Sequence, residues 1–217
     1  MKKFFFLVAI LFFNIHSMDL RSTLNLKFNN NMKDEFKDPL YIKFELAEHH
    51  ENKTKDQKTA LDLFEQITQQ DKRKDLKTKA LYRIGRIYSK KDGNVPQDYP
   101  KALEAFKTAS SDPNIHRETY YRALYRLGEL HYFGLGTKQN FSKAYELLSD
   151  VARNKVDLYS QAAAFVMLGE MYKKGKAVEC NIGIAKNYFM IAAKQTINLE
   201  AQELAKKALK IYNIKLE

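Results

Sequence analysis

A single cysteine, Cys180, is all the thiol chemistry that this 217-residue chain possesses. No intrachain disulfide can form, and neither a Cys-x-x-Cys redox pair nor a cysteine-rich zinc site can be assembled. Tryptophan is absent, and only four prolines and eight glycines punctuate the chain. So small a supply of turn residues, beside abundant Lys, Glu, Leu and Ala, leans the chain towards helix. Long apolar runs are missing too: Phe4 to Phe13 covers ten residues, well short of the ~20 needed to span a bilayer comfortably. Acidic residues are in deficit, 26 against 37 basic, which gives a formal charge of +11. That excess permits an acidic partner without naming one.

The N-terminus separates from the rest. Lys2 and Lys3, the apolar run and the polar exit Asn14-Ile15-His16-Ser17 together match a secretory signal peptide. Residues 1–17 are therefore expected to direct export from a bacterial cell, to the periplasm or beyond, and their removal leaves a charge of +9. No Ala-x-Ala site precedes the exit, so an uncleaved anchor is the alternative reading, and no cysteine there supports a lipoprotein. Residues 18–37, polar and without a sustained period, read as a flexible lead-in.

From residue 38 onward the chain repeats. Gly85, Gly128 and Gly169 are 43 and 41 residues apart, and Ala60, Ala102, Ala144 and Ala185 follow at 42, 42 and 41. Two markers in step define one structural unit, which has to bury its apolar face against its neighbours. Turn signals and apolar stripes predict helices from Pro39 to about His50, then at 57–70, 76–90, 99–110, 118–133, 141–154, 159–174 and 182–195, with a capping helix at 199–213. In the capping helix Leu204, Ala208 and Ile211 are expected to face the stack, and the polar run Glu51 to Asp56 is expected to break the first helix. The reading is an all-α solenoid of antiparallel pairs: a degenerate one at about 38–70, then 76–110, 118–154 and 159–195. In each first helix the glycine admits its partner, and Gly128 is expected to tolerate no bulky replacement.

The string Ala-x-x-x-Leu-Gly-x-x-Tyr-x-x-Gly, followed after a loop by Lys-Ala and then Ala-Ala, resembles the Sel1-like repeat, a relative of the tetratricopeptide repeat. The third copy matches best, through Ala164, Leu168, Gly169, Tyr172, Gly175, Ala185, Tyr188, Ala192 and Ala193. His131 stands where the family has Tyr, and Gly183-Ile184 replaces the usual charged pair. The resemblance implies a right-handed superhelix whose first helices line a concave surface, and an adaptor rather than a catalyst.

Carried onto this chain, that geometry selects Lys79, Tyr82, Arg86 and Lys90; Arg122, Tyr125, Glu129, Tyr132 and Phe133; and Val166, Glu170, Lys173 and Lys174. Tyrosine beside arginine and lysine suits a protein or peptide partner, because both combine area with directed polar contacts. Tyr125 and Tyr132 have a second reading, as packing between repeats.

Chemistry finds little footing. His49 and His50 are adjacent and diverge on a helix, and His131 has no second ligand three or four residues away, so no metal or other cofactor is expected. Cys180 lacks a neighbouring base, and Gly134-Leu135-Gly136 ends a helix without the Lys-Ser/Thr of a phosphate loop. The resemblance also offers beta-lactam binding or hydrolysis, credited to some secreted Sel1-like proteins, as a last alternative, but no convincing Ser-x-x-Lys is present for it. Glu45, Glu48 and Glu129 read as solvated helix faces. Basic and acidic residues interleave along every helix, which argues against nucleic acid, whereas an anionic glycan or lipid of the envelope remains the rival partner.

Overall fold

Helix follows helix from Pro39 to Ile211 in the computed structural model, which describes residues 38–70 and 72–211 and has no strand among them. The expected signal peptide and lead-in lie outside the described residues, as do positions 212 and 213 of the expected capping helix. In order the helices are α1 (Pro39–His49), α2 (Gln57–Thr68), α3 (Lys74–Ser89), α4 (Tyr99–Ala109), α5 (Arg117–Phe133), α6 (Phe141–Arg153), α7 (Leu158–Lys174), α8 (Ile182–Lys194) and α9 (Leu199–Ile211). Consecutive helices pack as antiparallel pairs. The first helices α1, α3, α5 and α7 also touch in series, while the second helices make no comparable contact with one another. The stack therefore has one continuous helical wall and one splayed wall.

Where the second helices begin is set by a cap that recurs with the repeat. Asp56, Asp98, Asn140 and Asn181 each accept, through a side-chain oxygen, the backbone N–H three residues on, at 3.2, 3.0, 2.9 and 2.9 Å. Such a bond satisfies an N–H that the first helical turn leaves without a partner. The backbone N–H groups of Asp98, Asn140 and Asn181 also donate to Tyr88, His131 and Tyr172 carbonyls, at 2.9, 2.9 and 3.0 Å, pinning each second helix to the end of its first. Gly134 and Gly175 end α5 and α7 in the left-handed region, at φ 70° and 61°. Ala177 holds the same region at φ 63°, where the preceding repeat has Gly136.

Within each pair the helical glycine is a seat for a large side chain. A methyl group on Gly85, Gly128 or Gly169 would fall 2.6, 2.9 and 2.6 Å from atoms of Phe106, Leu148 and Phe189. All three of those side chains are fully buried. Each lies four residues after the alanine that marks its second helix, so the two periodic markers of the sequence are the two halves of one contact.

Two expectations are corrected. The polar run after α1 does not break the helix at Glu51: it winds on as a π turn, His50–Thr54, and ends only at Lys55, in the left-handed region at φ 60°. The turn carries Glu51 inward, where its carboxylate meets Arg83 at 3.3 Å, Arg86 at 3.5 Å and Lys90 at 3.6 Å. In α9 the buried stripe is Ala201, Ala205, Ala208 and Leu209, whereas Leu204 and Ile211 are exposed. Small side chains let α9 lie close on Ala192 and Ala193 of α8, and that approach fixes its rotation.

Candidate functional site

The wall of first helices holds a hollow of about 240 Å³ where α1, α3 and α5 meet. From α1 it takes Tyr41, Phe44, Glu45 and Glu48; from α3, Leu76, Lys79, Tyr82 and Arg83; from the start of α5, His116, Glu118, Thr119 and Arg122. Lys79, Tyr82 and Arg122 are thus brought together as the sequence led one to expect. Spacings of three and four along α3 put Lys79, Tyr82, Arg83 and Arg86 on one face.

Charges in the hollow divide into engaged and open ones. Arg83 is clamped between Glu48 and Glu51, and burial raises the Glu48 carboxyl above its usual range against the pull of Arg83. Arg122 pairs with Glu118 on its own helix and reaches Asp157, ahead of α7, at 3.5 Å. Glu45, Glu48 and Glu129 are therefore not alike: Glu48 and Glu129 are bound internally, and the solvated-face reading fails for both. Glu129 accepts from the Tyr125 hydroxyl and from Arg126, each at 2.8 Å. Lys79 and Glu45 form no ion pair among the described residues.

The other selected residues are more committed to the fold than their spacing suggested. Arg86 and Lys90 hold Glu51. Burial, followed by the neighbouring Glu129 charge, pushes the Tyr125 hydroxyl far above its ordinary value. Tyr132 packs edge-on against Phe133 and Phe141, with centroids 4.9 and 5.3 Å apart, while Phe133 itself is 57% exposed. Glu170 is held by Lys173 at 3.1 Å and Lys174 at 2.9 Å; burial would raise it, but these bonds prevail and hold it below its usual value. Val166 packs at the edge of the α8 and α9 core.

Sequence reasoning missed Tyr41, Glu45, Glu48, Arg83, His116 and Glu118. The α1 residues were out of reach because α1 lacks the motif from which positions were counted. Arg83 was not, since it lies four residues after Lys79.

His116 caps α5, its Nδ1 accepting the Thr119 N–H at 3.2 Å. Burial first, then the Lys79 charge, lowers its pKa below the ordinary 6.5. Burial lowers His50 and His131 as well. The unfolded chain takes up these protons near pH 6.5 and the folded chain only below it, so stability is full above that pH and is lost as pH falls towards the folded values. Asp56, held down to about 2 chiefly by hydrogen bonds from Thr59 and Asn94, adds no loss until far lower pH. Denaturant unfolding is expected to show lower stability at pH 5 than at pH 7, and His116→Asn, which keeps a cap, should reduce the difference.

Among the described residues no three His, Cys, Asp or Glu side chains gather as a metal-binding group, and no helix is long and apolar enough to cross a membrane.

The Sel1 repeat family model matches residues 78–111, 122–149 and 162–196, one match on each of the pairs α3 with α4, α5 with α6, and α7 with α8. The chain belongs to the Sel1 repeat family. Sel1 repeats are in general protein–protein interaction scaffolds, and the fold is typically non-catalytic. A solved Sel1 repeat protein from Oxalobacter formigenes shares this fold at a TM-score of 0.58 and 17% identity, over 82% of this chain and 68% of that one. The structure of c5321, a protective antigen of uropathogenic Escherichia coli strains displaying an SLR fold, overlaps at a TM-score of 0.38 and 18% identity, over 78% of this chain and 42% of that one. That overlap is too loose to bear on the site.

Proposed function

We propose that this Sel1 repeat protein is an exported adaptor that binds a protein or peptide along its wall of first helices, centred on the hollow between α1, α3 and α5. The observation that carries the reading is the make-up of that hollow: rings of Tyr41 and Tyr82 beside two charges of opposite sign, Lys79 and Glu45, that make no ion pair within the described chain. Aromatic area next to unengaged charge supplies both contact and orientation to a peptide. Export rests on the charged and apolar start of the sequence. No chemical step is assigned to the chain in this reading.

The test substitutes residues that the fold does not use for ion pairs. Capture from envelope extract is compared between the wild type and Lys79→Glu/Tyr82→Ala, with circular dichroism to check that both fold. Loss of one defined protein from the variant's capture is the expected result, and unchanged capture would sink the reading. Salt-sensitive binding to protein-free envelope vesicles, equal in both proteins, would instead favour an anionic glycan or lipid. N-terminal sequencing of exported material checks the leader separately.

A further inference from the structure

On the splayed side of the stack, between α6 and α8 and floored by α7, lies a second cavity of about 220 Å³. Its lining is Tyr145, Ser149, Ala152 and Arg153 from α6, Phe165 from α7 and Tyr188 from α8. The four α6 residues follow one another at helical spacings and so share a face, on which Ser149 and Ala152 are too small to close the gap.

Three properties of the lining point the same way. First, it is aromatic and ordered: the Tyr188 ring stacks on Tyr172 at 5.7 Å and lies 6.0 Å from Phe165, while the Tyr145 and Tyr172 hydroxyls share a hydrogen bond of 2.9 Å. Second, its charge is of one sign. Among the described residues Arg153, which is exposed, has no ion pair, and no carboxylate lines the cavity. The Tyr172 and Tyr188 hydroxyls add no negative charge near neutral pH, since Tyr172 is pushed up to about 12 by its bond to Tyr145 and Tyr188 is raised by burial. Third, the Ser149 hydroxyl is buried without a hydrogen-bond partner among the described residues, one helical turn from Arg153. A buried hydroxyl left unpaired is costly, and a ligand oxygen there would relieve it.

We infer that this cavity binds a small aromatic carboxylate, its ring among Tyr145, Phe165 and Tyr188 and its carboxylate on Arg153 and Ser149. The absence of lining acids and the open guanidinium disfavour a cation, which an aromatic box could otherwise take. The volume, below that of drug-sized sites, suits a single ring with a short acid arm. Such a group is carried by a free acid or by the terminal phenylalanine of a peptide. The site is separate from the hollow on the opposite wall and does not depend on the function proposed for it.

Two probes distinguish the sources: phenylacetate, and a short peptide ending in phenylalanine with a free carboxylate. Binding to the full chain is followed by NMR through the aromatic ring resonances. At least one probe is expected to bind saturably, with a Kd below about 1 mM, and to shift the rings of Tyr145, Phe165 and Tyr188. Arg153→Gln, at an exposed position, should weaken binding at least tenfold, the uncharged benzyl alcohol or amidated peptide should bind correspondingly less, and Lys79→Glu should change nothing. Failure of both probes to shift those rings would overturn the assignment. Equal binding by Arg153→Gln, or loss of binding in Lys79→Glu, would overturn it as well.

Discussion

Gly169→Ala is expected to destabilise the array by about 1–2 kcal/mol, and Gly169→Val by about 3 kcal/mol, although alanine in a helix interior ordinarily gains up to about 1 kcal/mol over glycine. The sign reverses because the added methyl would sit 2.6 Å from Phe189 Cε1, and Phe189 is fully buried with nowhere to retreat. Denaturant unfolding monitored by circular dichroism measures the loss. Pairing Gly169→Ala with Phe189→Leu should cost less than the two changes added together, since the smaller side chain relieves the clash that the methyl creates. Additive losses would show that the ring is not what the glycine accommodates.

Glu51→Ala should cost about 3 kcal/mol, because it leaves the cations of Arg83, Arg86 and Lys90 gathered around a site that no longer holds a negative charge. The Glu51 carboxylate is wholly covered, with side-chain exposure of 0%, whereas the three cations are 20, 29 and 37% exposed. Uncompensated charge is therefore only partly relieved by water. Glu51→Gln, which keeps the shape, should lose less. Since contacts in a repeat stack are nearest-neighbour, the damage should be local. Hydrogen exchange is expected to accelerate in α1 and α2 and to stay close to normal in α7 and α8. Uniform acceleration throughout would indicate that the array unfolds as a single unit.

These two sites differ in how well the sequence announces them. The glycine seat was legible, because Gly85, Gly128 and Gly169 recur in step with Ala102, Ala144 and Ala185, and a contact made once per repeat leaves a periodic trace. The caps at Asp56, Asp98, Asn140 and Asn181 leave the same trace at 42, 42 and 41 residues, and could have been read. Glu51 leaves none. It stands in a polar run that resembles a solvated turn, and the cations that bury it come from a helix 32 to 39 positions later. The rotation of α9 was hidden for a related reason: Leu204 and Ile211 looked like the inner face by hydropathy, but close approach rewards the alanines.

For the groove, the stripe on α3 was visible and its partners on α1 were not. Counting from a motif cannot place residues on a helix that lacks it. Nor does spacing reveal which charges are already occupied, and so Arg86, Lys90, Glu129 and Glu170 were selected beside Lys79 although each has a partner within the fold.

The recurring caps carry one more implication. Asp98 and Asn140 make the same two bonds, one by side chain to the start of the following helix and one by backbone to the end of the preceding one. Each is thus a seam at which modules are interchangeable. Excising residues 98–139 would set Asn140 where Asp98 stood, with Leu148 arriving over Gly85 in place of Phe106, and duplicating the same stretch would lengthen the chain by one cassette with no new kind of junction.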